Sequence, residues 1–323
     1  SAYFILAAKA FMQHPVGYTL NGVRGRAELT SIFKVLFNST ALAAFFHTIP
    51  SAFLTAGAIF AAVGAWMLFH NKDAEVAKPA LKIGIITVLI AFVFVAISGD
   101  TTARLMTKQQ PMKMAAAEAV YDTKTNVPFS LLTIGTLNGS HSVFQIGLPS
   151  VLSFMATGNT NGTVEGVNNL EKSYEQKYGA GNYTPNIPFT YWSFRLMIGF
   201  GALAALISFV ALWFIRQGRF PRKKWFVRSM LVLPWLPILG NSFGWIFTES
   251  ARQPWVVFGL FKTSAGVSPG VSAASVLFTM VAFTLLYGVL AVIEFGLFFR
   301  TIKVGPEKTA EHGEGSKTLT MAY

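Results

Sequence analysis

Three side chains in this sequence combine a metal-ligating group with apolar surroundings. His47 lies in Ala-Phe-Phe-His-Thr-Ile-Pro, Met197 in Phe-Arg-Leu-Met, and Glu249 in Gly244-Trp245-Ile246-Phe247-Thr248-Glu249-Ser250-Ala251-Arg252-Gln253-Pro254-Trp255. Imidazole and thioether together suit low-spin iron in a porphyrin, because that pair fills both axial positions. A carboxylate is a harder, weaker ligand and leaves iron high-spin and open on one side. Arg195 and Arg252 flank two of the three. Arginine is permanently charged and forks onto carboxylates, so both suit porphyrin propionates. Each residue also has a plain structural reading. A histidine in an apolar segment can simply bond a neighbouring helix. Met197 is one of ten methionines and can be ordinary packing. The Glu249–Arg252 stretch with Trp245 and Trp255 can be an interfacial anchor, since Trp and Arg belong at headgroup level.

The elements that carry these residues are long apolar runs. The chain has 323 residues, of which 53% are hydrophobic and 12% charged. Soluble domains carry about 25% charge. Uncharged runs cover Ala41–Phe69, Ile83–Gly99, Leu196–Ile215 and Ser229–Thr248. A last apolar run, 271–299, is broken only by Glu294, and an apolar stub covers about 1–13. At 1.5 Å per residue the full segments approach or span a core of roughly 30 Å. The expected fold is an all-α polytopic membrane bundle of about six transmembrane segments, the first partial, with a long extracytoplasmic loop. The divisions expected are 1–99 (three helices, with His47), 100–190 (the loop), 191–300 (three helices, with Met197 and Glu249) and 301–323 (a cytoplasmic tail).

The net charge of +12 sits in the short connections, at Lys72, Lys78 and Lys82, at Arg216 to Arg228, and after residue 299. That is the pattern of cytoplasmic loops, and it argues against a nucleic-acid partner. With alternating spans, His47, Met197 and Glu249 all fall within roughly 10 Å of the opposite, outer face. Helix periodicity does not require that coincidence. The sequence has no cysteine, so disulfides, thiolate metal sites and covalently attached haem are excluded. The stub at the start lacks the basic region and cleavage site of a signal peptide. It reads as the second part of a helix, in an N-terminally truncated sequence. Residues 109–120 read as a short helix opened by Pro111. The apolar segment Val143–Met155 reads as lying on the membrane surface. His14 and His141 read as loop residues.

The ordered set of short motifs resembles subunit I of cytochrome bd-type quinol oxidases. It comprises Met12-Gln13-His14-Pro15-Val16-Gly17, Phe46-His47-Thr48, Lys113…Glu118, Phe194-Arg195-Leu196-Met197 and Gly244-Trp245…Glu249…Arg252-Gln253-Pro254-Trp255. The last is specific; the others gain weight from their order. The family usually has Gly where this chain has Ala251 and Asn where it has His14, and the loop matches the short-loop group. The resemblance implies that His47 and Met197 ligate a low-spin haem b and that Glu249 ligates a high-spin haem b. Glu249 and Arg252 would act catalytically, with Arg195 and Arg252 on propionates and Trp245 and Trp255 packed around a macrocycle. It implies that Lys113, Glu118 and Gln110 bind quinol, and that haem d has its ligand on helices absent from this sequence. It also implies a second membrane subunit, subunit II, with oxygen as electron acceptor, quinol oxidation at the outer face and a proton gradient made without pumping. The chain as given is then expected to be inactive alone, in a bacterial cytoplasmic membrane with its C-terminus inside. Two other readings stay open: a transporter using Glu249 and Arg252 as an ion or substrate site, and a b-type electron-transfer cytochrome.

Overall fold

In the computed structural model, residues 2–22, 26–136 and 140–305 are described. The first segment is α1 (Ala2–Gln13), followed by a hairpin of β1 (Tyr18–Asn21) and β2 (Arg26–Leu29) and by short α2 (Ile32–Leu36). Then come two long helices, α3 (Ser39–Phe69) and α4 (Ala74–Gln109). A region of small elements follows: α5 (Pro111–Glu118), the hairpin of β3 (Phe129–Gly135) and β4 (Ser142–Leu148), α6 (Val151–Thr157) and α7 (Val167–Tyr178). The chain returns through α8 (Ile187–Ile215), α9 (Lys224–Val232) and α10 (Trp235–Ser250). A short pair, β5 (Trp255–Val257) and β6 (Phe261–Lys262), precedes α11 (Ala273–Val304).

Among the described residues, five helical stretches are long and apolar enough to cross a membrane. They are α2–α3, α4, α8, α9–α10 and α11. The stub at the start, expected as a partial segment, is a helix of 12 residues. Helix α4 is twice as long as its uncharged run, with 36 residues against 17, because Lys78, Lys82, Asp100 and Arg104 all lie on it. Charged residues extend a helix beyond an apolar core without breaking it, so the basic connection shrinks to residues 70–73. Pro234 interrupts the ladder between α9 and α10.

The long loop is not an open connector. Residues 110–186 form α5, a hairpin and two more helices, and the predicted helix at 109–120 is α5, with Pro111 at its first turn. The segment Val143–Met155 does not cross the bundle; it supplies β4 and α6. The fold is mostly helical rather than all-α. The tail beyond residue 305 lies outside the described residues.

The core joins α3, α4, α8, α9 and α10, through Leu54, Ala61, Leu81, Ile85, Ala204 and Met230 among others. Small residues set the α3–α4 distance, as is usual where lipid removes the hydrophobic drive for helix pairing. A Cβ on Gly84 would lie 2.6 Å from the Gly57 carbonyl oxygen, and one on Gly64 2.8 Å from the Ala77 carbonyl oxygen. Backbone cannot yield as a side chain can. We expect Gly84→Val to destabilise the protein by ~2–3 kcal/mol through overpacking, read as a lower unfolding midpoint in detergent; an unchanged midpoint would show that α3 and α4 can separate freely. Helix α11 stands apart, with no buried residue, touched at its end by the Lys72 ammonium on the Lys303 carbonyl.

Candidate functional site

The site lies where α1, α4 and α10 end, α3 and α8 begin, and α5 packs across them. Helix α10 leaves its last carbonyls without intrahelical donors. The Thr248 carbonyl is taken by Gln13 Nε2 at 3.3 Å and by Lys113 Nζ at 3.2 Å. A cation at that position also favours the negative end of the helix dipole. Lys113 is buried, donates to Gln13 Oε1 at 3.1 Å and sits 5.2 Å from the Phe247 ring. Burial, then the Arg252 charge, lowers its pKa to about 7, opposed by Glu249. Gln110 Nε2 donates to the Gln13 carbonyl at 2.6 Å, closing the corner between α4, α5 and α1.

Glu249 is held between two cations. Arg252 Nη2 lies 2.6 Å from Oε2, and Lys9 Nζ lies 2.6 Å from Oε1. Lys9 also faces the Trp245 ring at 5.7 Å. Lys9 is a partner to which the motifs do not point. Its one signal was being the only charge between residues 2 and 13. Arg252 is 5% exposed, and its Nε donates to the Trp255 carbonyl at 3.2 Å. Trp255 is committed to an aromatic core outside the spanning helices, stacked on Tyr183 at 5.7 Å with Tyr174, Tyr178 and Phe258 around it.

Glu118 faces the other side of α5. It is 1% exposed, and its Oε2 receives the Arg195 guanidinium and the Ser130 amide, the latter at 3.4 Å. Burial raises its pKa to about 7, against the opposing pull of Arg195 and the Ser130 amide. Arg195 therefore meets Glu118 directly, a pairing the sequence did not suggest. Its guanidinium also lies over Phe129, Tyr191 and Phe194, at 4.7, 5.0 and 5.2 Å.

His47 and Met197 sit deeper. His47 Nδ1 is 3.0 Å from Ser98 Oγ on α4. Gly99 lies beside the ring, where even a Cβ would be only 3.5 Å from it. Met197 packs on Gly244 of α10, a Cβ there meeting its sulfur at 2.9 Å. The two side chains thus pack on different partners. Met197 is level with Gly244, about 7 Å deeper than Glu249 at 1.5 Å per residue. His14 and His141 lie in connections between elements.

These residues fit porphyrin groups on one specific ground. Buried donors with no acceptor in reach among the described residues include Arg252 Nη1, Trp255 Nε1, Arg195 Nε and Arg195 Nη1. Leaving such donors unpaired is unfavourable, and propionate carboxylates would satisfy them. Arg252 and Trp255, with Lys113, Gln110 and Tyr174, line a cavity large enough for about one water. The fit at Glu249 is conditional, because ligation through Oε1 requires Lys9 to release it. Lys9 is more than a third exposed and has the freedom to do so.

The sequence model of cytochrome bd terminal oxidase subunit I matches residues 1–306. Cytochrome bd ubiquinol oxidase subunit 1 of Bacillus subtilis (strain 168) is 38% identical over 97% of this chain and 66% of its own length. Cytochrome bd-II ubiquinol oxidase subunit 1 of Escherichia coli (strain K12) is 24% identical over 95% of this chain and 70% of its own. The structure of the bd oxidase from Geobacillus thermodenitrificans superposes with a TM-score of 0.82 at 25% identity, covering 95% of this chain and 67% of that one. The chain thus spans about two thirds of the length of the relatives it matches. Five spanning helices and the match over 1–306 make it a multi-pass membrane protein of the cytochrome bd terminal oxidase subunit I family.

Proposed function

We propose that the protein is the haem-bearing subunit of a terminal quinol oxidase in a bacterial cytoplasmic membrane, assembled with a second membrane subunit. His47 and Met197 would hold the low-spin haem b and Glu249 the high-spin one, while haem d would take its ligand from outside this chain. The haems, when bound, carry electrons from quinol to oxygen. The chain's own residues do the rest. Lys113 and Gln110 anchor a quinol hydroxyl at the outer face. Glu118 Oε1, which has no partner among the described residues, accepts a proton from the second quinol hydroxyl. Arg195 keeps that carboxyl from rising still higher and joins the proton site to the helix that bears Met197 two residues on. Arg195 and Arg252 hold propionates through their unpaired N–H groups. Protons released outside and protons drawn for water from inside separate charge without a pump.

The observation that carries this reading is the burial of Lys113 and Glu118 on the two sides of one eight-residue helix, with both brought to about 7. Ordinary solvated lysine and glutamate do not converge so. A general base works best near the operating pH. The test is a reduced-minus-oxidised visible spectrum of the full-length protein. Two b-type bands with a haem d band are expected. Absence of haem bands would overturn the redox reading, and b bands without haem d would favour an electron-transfer cytochrome that does not reduce oxygen.

A further inference from the structure

The β3–β4 hairpin carries a hydroxyl network that neither the fold nor the proposed site explains. Ser130 and Thr133 stand three residues apart on β3, and both are buried. In a regular strand residues three apart point to opposite faces. Here the pairing slips: Ser130 faces Gly147 but Leu132 faces Ile146. The slip turns Leu131 outward and brings both hydroxyls inside. They meet Tyr191 of α8. The Tyr191 hydroxyl lies 2.7 Å from Ser130 Oγ and accepts the Thr133 amide at 2.7 Å, and Ser130 Oγ is 2.7 Å from Thr133 Oγ1.

Three buried hydroxyls, two on β3 and one on α8, are unfavourable unless each is bonded, and apolar residues would hold a hairpin as well. The network has one further output, the Ser130 amide, which points at Glu118 Oε2. The chain bends sharply after Glu118, with Ala119 at φ 51, a left-handed conformation unfavourable for alanine. Bulges next to functional sites re-aim side chains in this way.

We infer that Tyr191 is a positioning residue for Glu118. Its hydroxyl locks the bulged start of β3, so that the Ser130 amide and Arg195 together hold Oε2 and leave Oε1 for the quinol proton. This rests on the reading of Glu118 as proton acceptor. The charged group facing Glu118 is Arg195 on α8, and β3 contributes only an amide. On α4, Asp100 and Arg104 pair with each other at 2.9 Å. Lys113 and Tyr174 line the separate cavity on the other side of α5.

The test is Tyr191→Phe in the full oxidase complex, with quinol oxidation followed against pH. The ring remains, so the low-spin haem spectrum is expected to be unchanged. Losing an amide donor disfavours the carboxylate. The acid limb of kcat therefore moves up by about one pH unit, and kcat on that limb falls about tenfold, the loss expected for one hydrogen bond to a charged group. Quinol KM stays within about twofold, since the anchor Lys113 is untouched. Loosened packing alone would lower kcat equally at every pH. A midpoint identical to that of the parent overturns the inference. Thr133→Val, which removes the second hydroxyl partner of Ser130 and keeps the amide bond to Tyr191, is expected to give a smaller shift in the same direction, and it decides the matter if Tyr191→Phe does not accumulate. Glu118→Gln separates the two levels. If that variant keeps the parental rate and profile, the proton-acceptor reading fails; if it loses the limb while Tyr191→Phe does not move it, only the role of Tyr191 fails.

Discussion

Replacing Met197 by leucine is expected to remove the low-spin haem signal from the reduced-minus-oxidised spectrum of the full-length oxidase and to leave the high-spin signal largely intact. Leucine fills nearly the same volume, and such swaps usually cost less than ~1.5 kcal/mol. The α8–α10 contact at Gly244 therefore persists, and the protein should accumulate. What leucine cannot supply is a donor atom, and a low-spin centre needs both axial ligands. His47 keeps its bond to Ser98, and Glu249 keeps Lys9 and Arg252, because none of these bonds involves Met197. Quinol oxidation should fall with the low-spin signal. If the low-spin band survived, the assignment of Met197 as a ligand would be wrong.

Glu118→Gln carries the second large effect. A positioned general base typically contributes 10²–10⁴-fold, and the amide cannot take a proton at pH 7. The expected result is a fall in kcat of at least ~100-fold. The parent enzyme carries a second sign. Burial raises the Glu118 pKa to about 7, so the group is protonated and idle as a base below that pH and competent above it. Activity should therefore rise with pH through about 7 in the parent, and that rise should vanish in the variant. The substitution also removes the charge opposite Arg195, leaving a buried guanidinium without its partner, a change that strongly destabilises buried pairs. Low-spin haem content is measured alongside, to separate loss of chemistry from loss of assembly. A variant with normal haem content and parental kinetics would exclude Glu118 from proton transfer.

The large elements were legible because a bilayer leaves few options. Long uncharged runs have to be helices, and basic residues gather at their connections. The ends of those helices were not legible, since Lys78, Lys82, Asp100 and Arg104 extend α4 past its apolar stretch without interrupting it. The region 110–186 was legible only at α5, where Pro111 opens a run of helix formers. Its hairpin and α7 depend on contacts with α8 and with the segment after α10, which no local pattern announces. The site divides in the same way. Lys113, Glu118, Arg195, Glu249 and Arg252 could be named from motif and depth. Their partners could not. The Glu118–Arg195 pair joins residues 77 apart, and the Tyr191–Ser130 bond joins residues 61 apart. Lys9, Ser98 and Tyr191 belong to common residue types with no distinctive spacing, and only the fold gives them a role.

The Lys9–Glu249 ion pair has a consequence in time. Its partners are separated by 240 residues. At ~5–20 residues per second, Lys9 is incorporated roughly 12–48 s before Glu249. The histidine on α3 and the clamp around Glu249 therefore cannot mature together. The α3–α4 hairpin can settle in the membrane while α10 is still unsynthesised. The centre around Glu249 closes only when α10 arrives and packs against α1. The Glu249 end of the site is thus the later of the two to close.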